Sequence, residues 1–231
     1  MSNLLFSSGT SGNKQKAIIF SNEEIKTMRK AMGHFWDLCP CGGITLNIIP
    51  AFPNLGFHFA KIYEEFSLFP TLSTGGIQIL GVEKHLNLIQ ELKPTMIIGT
   101  EDVVKELIEF SKKEGLINLK IVVIANGISE EAIEWFKERN IEIRATYGFS
   151  EARMAWLTGK DYSKGYFIYK DCGVSFKNSD DGELIFYSKN YPDGYLTGDI
   201  GRVTDYEDYQ IIDFLIKRKD GKSKKIIGCN R

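Results

Sequence analysis

A run of small and hydroxyl-bearing residues lies near the start of the sequence, from Ser7 to Gly12, and is followed by Lys14 and Lys16. Glycines let successive backbone N–H groups converge on one point, and serine and threonine hydroxyls add further donors. This chemistry suits a phosphate group. The candidate phosphate-binding residues are Ser8, Gly9, Thr10, Ser11 and Gly12. A flexible Ser/Gly linker is the alternative interpretation. A P-loop is not expected, because the Gly-Lys-Ser/Thr sequence at the required spacing is lacking.

A second candidate is the segment Tyr147-Gly148-Phe149-Ser150-Glu151, which follows an apolar run, Ile141–Ala145. A parallel sheet binds its ligands outside the carboxyl ends of its strands, and this segment would lie there. The tyrosine ring could stack on a base, the hydroxyl of Ser150 could donate to a phosphate, and the carboxylate of Glu151 could bind Mg²⁺. The alternative is an ordinary strand-to-helix turn with incidental polar residues.

The third candidate, Thr197-Gly198-Asp199, places a carboxylate beside a glycine at the end of a β-prone run. An acidic residue can accept hydrogen bonds from both hydroxyls of a ribose, as it does in dinucleotide sites. The alternative is a β-turn aspartate that bonds its own backbone.

The elements that would position these residues follow from the hydrophobic pattern. Short apolar runs predict strands, and helices are predicted between most of them. The predicted strands are Lys16–Phe20, Ile44–Ile49, Gly76–Leu80, Thr95–Ile98, Leu119–Ala125 and Ile141–Ala145. Ser21 with Glu24 forms a capping-box pattern for the first helix, Ser129 is a candidate cap for another, and a further helix is predicted within Leu55–Phe69. This alternation predicts an α/β fold, a mostly parallel sheet with crossover helices, over residues 1–155.

The pattern changes after about residue 155. Short β-prone pieces follow, separated by the turn signals Asp180-Asp181-Gly182 and Pro192-Asp193-Gly194. They predict a smaller β-rich subdomain over residues 156–216, followed by a tail at 217–231. The predicted strands of this subdomain are Tyr166–Tyr169, Glu183–Tyr187, Tyr195–Thr197 and Gln210–Phe214.

Composition narrows the class of protein. The 231 residues are 43% hydrophobic and carry a formal net charge of −1, so they can form a large core and give no bulk attraction to nucleic acid or an anionic membrane. No leader or membrane-spanning stretch is evident, which predicts a cytoplasmic protein. The spacing of the four cysteines, Cys39, Cys41, Cys172 and Cys229, matches no zinc pattern and predicts free thiols.

Together, and in this order, the three candidate segments resemble the adenylate-forming superfamily, which includes acyl- and aryl-CoA synthetases, adenylation domains of peptide synthetases and luciferases. The family's Ser/Thr/Gly-rich phosphate loop is similar to Ser7–Lys16, with either Lys14 or Lys16 as its lysine. Its Tyr-Gly-x-Thr-Glu motif resembles Tyr147–Glu151, with serine at position 150, and its Thr-Gly-Asp motif is present unaltered. Asn126-Gly127 resembles the turn that lies along the adenine.

A hinge-like segment extends the resemblance. Arg218-Lys219-Asp220 is similar to the family's hinge, which implies that Arg218 contacts the ribose, although Lys217 replaces the usual preceding glycine. By position alone, Phe52, Asn54 and His58 correspond to the segment that lines the acid pocket.

The resemblance implies an acid–thiol ligase that uses ATP and Mg²⁺ to convert a carboxylic acid into an acyl-adenylate and transfers the acyl group to CoA or an acyl carrier protein. It assigns catalytic roles to Lys16, Ser150 and Glu151, with Glu151 as the metal ligand, and nucleotide binding to Tyr147, Gly148, Asp199 and Arg218.

The family's long amino-terminal portion and small carboxyl-terminal domain have no counterpart in the sequence, so we expect slow or partner-dependent catalysis and a homodimer or a partner subunit. The alternative is a catalytically degenerate nucleotide-binding or assembly subunit.

Overall fold

A computed structural model describes residues 3–6, 17–38, 42–49, 70–113, 119–125, 128–149, 152, 156–159 and 164–218 of the chain. The helices of these ranges are α1 (Asn22–Leu38), α2 (Ile77–Leu80), α3 (Val82–Leu92), α4 (Glu101–Lys113) and α5 (Glu130–Lys137). A single 3-10 turn covers Lys170–Cys172. No helix in these ranges has both the length and the apolar composition that crossing a bilayer requires.

The strands form one large sheet and one two-stranded ribbon. In chain order they are β1 (Asn3–Phe6), β2 (Ala17–Phe20), β3 (Thr45–Asn47), β4 (Thr71–Ser73), β5 (Met96–Gly99), β6 (Ile121–Ala125), β7 (Glu142–Tyr147), β8 (Trp156–Thr158), β9 (Tyr166–Tyr169), β10 (Ser175–Asn178), β11 (Glu183–Ser188), β12 (Tyr191–Asp205) and β13 (Tyr209–Arg218). The large sheet has the order β10-β11-β12-β13-β9-β8-β7-β6-β5-β3-β4.

The predicted α/β architecture is confirmed. Strands β4, β3, β5, β6 and β7 are parallel neighbours, whereas every pairing from β7 through β8 to β10 is antiparallel. The antiparallel part begins with β8 at Trp156, and hydrogen-bonded pairs connect it to the parallel part without a break. The α/β part predicted over residues 1–155 and the β-rich subdomain predicted over residues 156–216 therefore contribute strands to one sheet.

Helix ends and helix faces follow the sequence signals. The Ser21 Oγ accepts a hydrogen bond from the Glu24 N–H, and the Glu24 carboxylate accepts one from the Ser21 N–H at 2.7 Å, which completes the predicted capping box. Ser129 caps α5 by accepting a bond from the Ala132 N–H at 3.1 Å. The apolar stripes of α4 and α5 are buried against the parallel strands, as an amphipathic pattern requires.

Three predictions for individual elements are wrong. Gly76–Leu80 was predicted as a strand, but Ile77–Leu80 is the short helix α2, because positive φ angles at Gly75 and Gly76 turn the chain after β4 has paired with β3. The strand Ala17–Phe20 pairs antiparallel with β1 in the ribbon and not within the parallel sheet.

The third wrong prediction is the turn at Pro192-Asp193-Gly194. These residues lie inside β12, where the pairing with β11 shifts between Ser188↔Tyr191 and Phe186↔Tyr195, so they form a bulge. The chain reverses earlier, at residues 189–190. The predicted turn before β11 is correct, since the Gly182 N–H donates to the Ser179 carbonyl at 3.0 Å. The helix predicted within Leu55–Phe69 lies outside the described residues.

Candidate functional site

The structure brings two of the three candidate motifs into direct contact. The Tyr147 Oη donates a hydrogen bond of 3.0 Å to the Asp199 Oδ2, although 52 residues separate them in sequence. Tyr147 is the last residue of β7, and Asp199 lies in the middle of β12, on the antiparallel side of the sheet. Their exposed fractions are 3% and 4%, so this bond is shielded from water.

The Thr197-Gly198-Asp199 segment is held by hydrogen bonds that the Gly198 and Asp199 N–H groups and the Thr197 hydroxyl donate. The Asp199 N–H donates to the Thr197 Oγ1 at 3.1 Å, and the Thr197 hydroxyl donates to the Leu184 carbonyl at 3.0 Å. The Gly198 N–H donates to the Glu183 Oε1 at 2.9 Å, and Gly198 has a positive φ of 77°. The alternative of an aspartate that only satisfies its own turn does not describe this site, because the Asp199 carboxylate reaches across to Tyr147.

The ring of Tyr147 lies within a cluster of aromatic side chains. Its centroid is 5.7 to 6.5 Å from those of its ring neighbours, and these are Phe149, Trp156, Tyr166 and Phe176. Burial, followed by the negative charge of Asp199 and the hydrogen bond to it, raises the pKa of Tyr147 well above its usual value. Tyr147 is therefore a neutral phenol that donates a hydrogen bond to the carboxylate.

The enclosure of Tyr147 bears on its expected role. Because only 3% of its surface is exposed, its ring could stack on a base only if neighbouring side chains moved. Its hydroxyl, in contrast, already lies beside the carboxylate expected to bind a ribose.

The hinge-like segment also reaches this site. Arg218, the last residue of β13, is the cross-strand partner of Asp199 in β12. The two residues expected to contact one ribose are thus direct neighbours in the sheet. Lys217 and Arg218 belong to β13, so the proposed tail begins within a strand.

The turn expected to lie along an adenine connects β6 to α5. β6 is the parallel neighbour of β7, and Ala125 pairs with Thr146, so both strands end at the same edge. Residue Ser129, just beyond the turn, is held by Glu101 on α4. The Glu101 carboxylate accepts bonds of 2.6 Å from both the N–H and the hydroxyl of Ser129.

Most of the other predicted site residues lie outside the described residues, and their roles stay predictions. These are Ser8, Gly9, Thr10, Ser11, Gly12, Lys14, Lys16, Phe52, Asn54, His58, Asn126, Gly127, Ser150 and Glu151. Gly148 follows Tyr147 directly and lies outside any helix or strand.

Glu101 and Glu183 were not singled out from the sequence. Glu183 is 4% exposed and opens β11, and Glu101 opens α4. A single glutamate at the start of an element is common in any sequence, so composition gives no sign of either contact. The capping preference of Ser129 indicates that this residue begins a helix. It does not indicate that Ser129 also bonds Glu101, which lies 28 residues earlier in the sequence.

The fold of this chain is similar to that of several solved acyl- and aryl-CoA ligases. No family model matches the sequence, and no curated protein matches it in sequence. The similarity to solved structures is nevertheless extensive, and it covers 91–94% of this chain in the examples below.

Three solved ligases illustrate the likeness. An open conformation of 2-hydroxyisobutyryl-CoA ligase in complex with 2-HIB-AMP and CoA has a TM-score of 0.68 at 14% identity over 91% of this chain and 55% of the ligase. O-succinylbenzoate coenzyme A synthetase from Bacillus subtilis, in complex with ATP and magnesium, has a TM-score of 0.66 at 15% identity over 94% and 50%. A fatty acyl-CoA synthetase from Mycobacterium tuberculosis has 0.66 at 16% over 91% and 46%.

These TM-scores establish a shared fold, and the resemblance drawn from the sequence motifs is confirmed at that level. The chain spans about half the length of the ligases it matches.

Proposed function

We propose that this chain binds ATP and activates a carboxylic acid as an acyl-adenylate, with transfer of the acyl group to CoA or an acyl carrier protein. The observation that carries the proposal is the hydrogen bond between Tyr147 and Asp199. It joins two motifs that the family uses for the nucleoside, in a chain that has the fold of acyl-CoA ligases.

The described residues fit a nucleoside. A ribose offers two adjacent hydroxyls that can donate hydrogen bonds to a carboxylate. Asp199 would accept them after neighbouring side chains move, because it is only 4% exposed. The phenol of Tyr147 fixes the position of that carboxylate, since it is neutral and donates at 3.0 Å. Arg218 lies across the strand pair from Asp199 and would approach the same sugar.

The remaining roles belong to residues outside the described ranges. Backbone N–H groups of Ser8 to Gly12, with Lys14 or Lys16, would hold the β- and γ-phosphates. The Glu151 carboxylate would hold Mg²⁺, an ion that offsets phosphate charge. Asn126 and Gly127 would lie along the adenine.

The reaction needs charge neutralisation more than proton transfer. An oxygen of the substrate carboxylate attacks the α-phosphorus of ATP, a P–O bond to the α-phosphate forms, and pyrophosphate leaves with the electrons of the bond that breaks. Two unit charges 4 Å apart repel by about 4 kcal/mol at an effective dielectric near 20. Positioned N–H donors and a lysine lower that barrier, whereas a carboxylate already ionised at neutral pH needs no base.

Transfer then requires a thiol nucleophile. The sulfur of CoA or of a carrier protein attacks the carbonyl carbon of the acyl-adenylate, AMP leaves, and the thiol proton is released to solvent. Phe149 and Trp156, which pack beside Tyr147, are candidates for the wall of the acid pocket because their rings lie next to the proposed nucleoside site. With Phe52 and Phe57, they would favour an aromatic or medium-length acid.

The proposal is tested by isotope exchange between pyrophosphate and ATP across a panel of aryl and fatty acids. We expect exchange with at least one acid, abolished by Glu151→Ala, while AMP binding measured by calorimetry is retained. Glu207→Ala, an exposed glutamate at the β12–β13 turn, is the matched control and should leave exchange unchanged.

The other outcomes are informative. AMP binding without exchange for any acid would favour the nucleotide-binding or assembly subunit instead. If the chain shows no AMP binding and no exchange with any acid, the proposal is overturned. Exchange that survives Glu151→Ala would remove the assignment of the metal to that residue.

A further inference from the structure

Three side chains of different chemistry meet at a place that includes neither Tyr147 nor Asp199. His34 on α1 places its Nε2 2.9 Å from the Asp171 Oδ1. The Cys172 Sγ lies 3.7 Å from the same oxygen. One ligand atom from each of the three residues lies within 4.8 Å of the others. A histidine nitrogen, a carboxylate oxygen and a cysteine sulfur thus converge on a small region between a helix and the 3-10 turn.

The surrounding structure holds these groups in place. The imidazole of His34 stacks on the ring of Tyr169, with centroids 3.8 Å apart and planes inclined by 13°. The ammonium of Lys30, one helical turn before His34, donates to the backbone carbonyl of Asp171 at 2.9 Å. Asp171 and Cys172 are fixed relative to each other by the 3-10 turn, which ends at Gly173 in the left-handed conformation. Helix and turn are therefore already tied together without any further group.

The three donors match the preferences of zinc. Zn²⁺ binds thiolate sulfur, imidazole nitrogen and carboxylate oxygen, with tetrahedral geometry. At the usual bond lengths, ligand atoms in a tetrahedral zinc site lie about 3.3 to 3.6 Å apart. The two contacts to the Asp171 Oδ1, at 2.9 and 3.7 Å, bracket that range. The three ligand atoms lie within 4.8 Å of one another, so an ion would bind after the side chains move towards a common centre.

We propose that His34, Asp171 and Cys172 form a zinc-binding site that joins α1 to the 3-10 turn. Cys172 is 2% exposed, whereas the side chains of His34 and Asp171 are 27% and 54% exposed. The ion would lie at the edge of the core with the thiolate on its inner side. Water would complete the coordination from the open side.

Ion binding must displace the thiol proton. Burial, with the neighbouring carboxylate of Asp171, raises the pKa of Cys172 to about 12, whereas the charge of Lys30 lowers it. The S–H bond breaks, an S–Zn bond forms, and the proton leaves to solvent. With a thiolate, a carboxylate and a neutral imidazole, the ligands would carry two negative charges, which balance the two positive charges of Zn²⁺.

The test uses the full chain carrying Cys39→Ser, Cys41→Ser and Cys229→Ser, so that Cys172 is its one thiol. The chain is stripped of metal and titrated with Co²⁺, whose thiolate charge-transfer band in the near ultraviolet reports sulfur ligation, and Zn²⁺ is then added as a competitor. We expect one equivalent of Co²⁺ to produce the band and Zn²⁺ to remove it.

Substitution of each ligand should weaken the site. Losing an outer-shell partner of a metal ligand costs about 10- to 100-fold in affinity, so we expect His34→Gln and Asp171→Asn each to weaken Zn²⁺ binding by about 100-fold or more. Cys172→Ala should abolish the cobalt band. The control Asp208→Asn, an exposed aspartate on the β12–β13 turn, should leave affinity unchanged.

X-ray absorption on the zinc-loaded parent chain provides a measurement that needs no variant in the site. We expect one sulfur at about 2.3 Å and nitrogen or oxygen ligands at about 2.0 to 2.2 Å. A chain that binds no stoichiometric metal, a sulfur-free zinc shell, or unchanged affinity in Asp171→Asn and His34→Gln would overturn the proposal.

Discussion

Replacing Tyr147 by phenylalanine isolates the bond on which the candidate site depends. The substitution removes one oxygen and keeps the ring, so packing against Phe149 and Trp156 is retained and no large cavity forms. What is lost is a buried donor to the Asp199 carboxylate at 3.0 Å. Hydrogen bonds to charged groups contribute about 1.5 to 3 kcal/mol. We therefore expect the free energy of unfolding to fall by about that amount.

At about 1.4 kcal/mol per tenfold change, this loss corresponds to a decrease of about 10- to 150-fold in the folding equilibrium constant. Equilibrium unfolding in urea, followed by circular dichroism, measures it as a lower midpoint with an unchanged slope. Tyr209→Phe is the matched control, because Tyr209 lies at the opposite end of β13 from the partner of Asp199 and packs against Phe167. Its midpoint should move by much less.

A double-mutant cycle separates the bond from other effects of the substitution. If Tyr147 acts through Asp199, Tyr147→Phe should cost much less in an Asp199→Asn background than in the native chain. The same variants should be compared for AMP affinity, where Asp199→Asn should have the larger effect because the carboxylate is the proposed ribose acceptor. Equal losses from Tyr147→Phe in both backgrounds, or a loss below about 0.5 kcal/mol in the native one, would refute the reasoning.

Three further outcomes follow from local geometry. Ser21→Ala should lower the free energy of unfolding by about 1 kcal/mol through loss of the cap bonded to Glu24, and Ser21→Asp, which can still cap, should recover most of it in the same urea assay. Gly165→Ala should destabilise far more than Gly173→Ala: both glycines have positive φ, but an added Cβ would lie 2.3 Å from a carbonyl of β13 at the first and contact nothing at the second. Because burial raises the folded-state pKa of Tyr147 above its unfolded value near 10, its contribution to stability is complete below about pH 10 and is lost as the pH rises further, so Tyr147→Phe should show a shallower alkaline loss in pH-dependent melts.

Periodicity was sufficient for the parts of the fold whose signals are local. The capping box at Ser21 and the apolar stripe of α4 depend on residues three or four apart, and both form as predicted. The three residues of β4 carry too little pattern to predict a strand, whereas the five-residue apolar run Gly76–Leu80 predicts a strand where the structure has the helix α2. The bulge in β12 was read as a turn because Pro-Asp-Gly suits either conformation.

Predicting the candidate site from the sequence required information other than hydrophobic periodicity. No periodicity indicates that Tyr147 and Asp199 will meet, because three strands, β13, β9 and β8, separate β12 from β7 in the sheet, and only the three-dimensional course of that sheet brings the two side chains together. The motif resemblance supplied that pairing. The His34–Asp171–Cys172 cluster lacked even this help: no short cysteine spacing marks it, and its histidine lies 137 residues from its aspartate.

Glu101 provides a test of how firmly the end of the parallel sheet is fixed beside the proposed adenine turn. Its two oxygens accept from the Ser129 N–H and hydroxyl at 2.6 Å, and the Lys105 ammonium lies 3.4 Å from one of them. In Glu101→Gln the amide nitrogen cannot accept, so one of the two bonds to Ser129 is lost. Since the Glu101 side chain is 20% exposed, we expect the free energy of unfolding, measured in urea, to fall by about 1 to 2 kcal/mol.

The control is Glu106→Gln, on the exposed face of the same helix, which should change stability by less than about 0.5 kcal/mol. If the carboxylate acts through the hydroxyl and N–H of Ser129, Glu101→Gln should cost less in a Ser129→Ala background than alone; strictly additive losses would show that Glu101 stabilises the fold by another route.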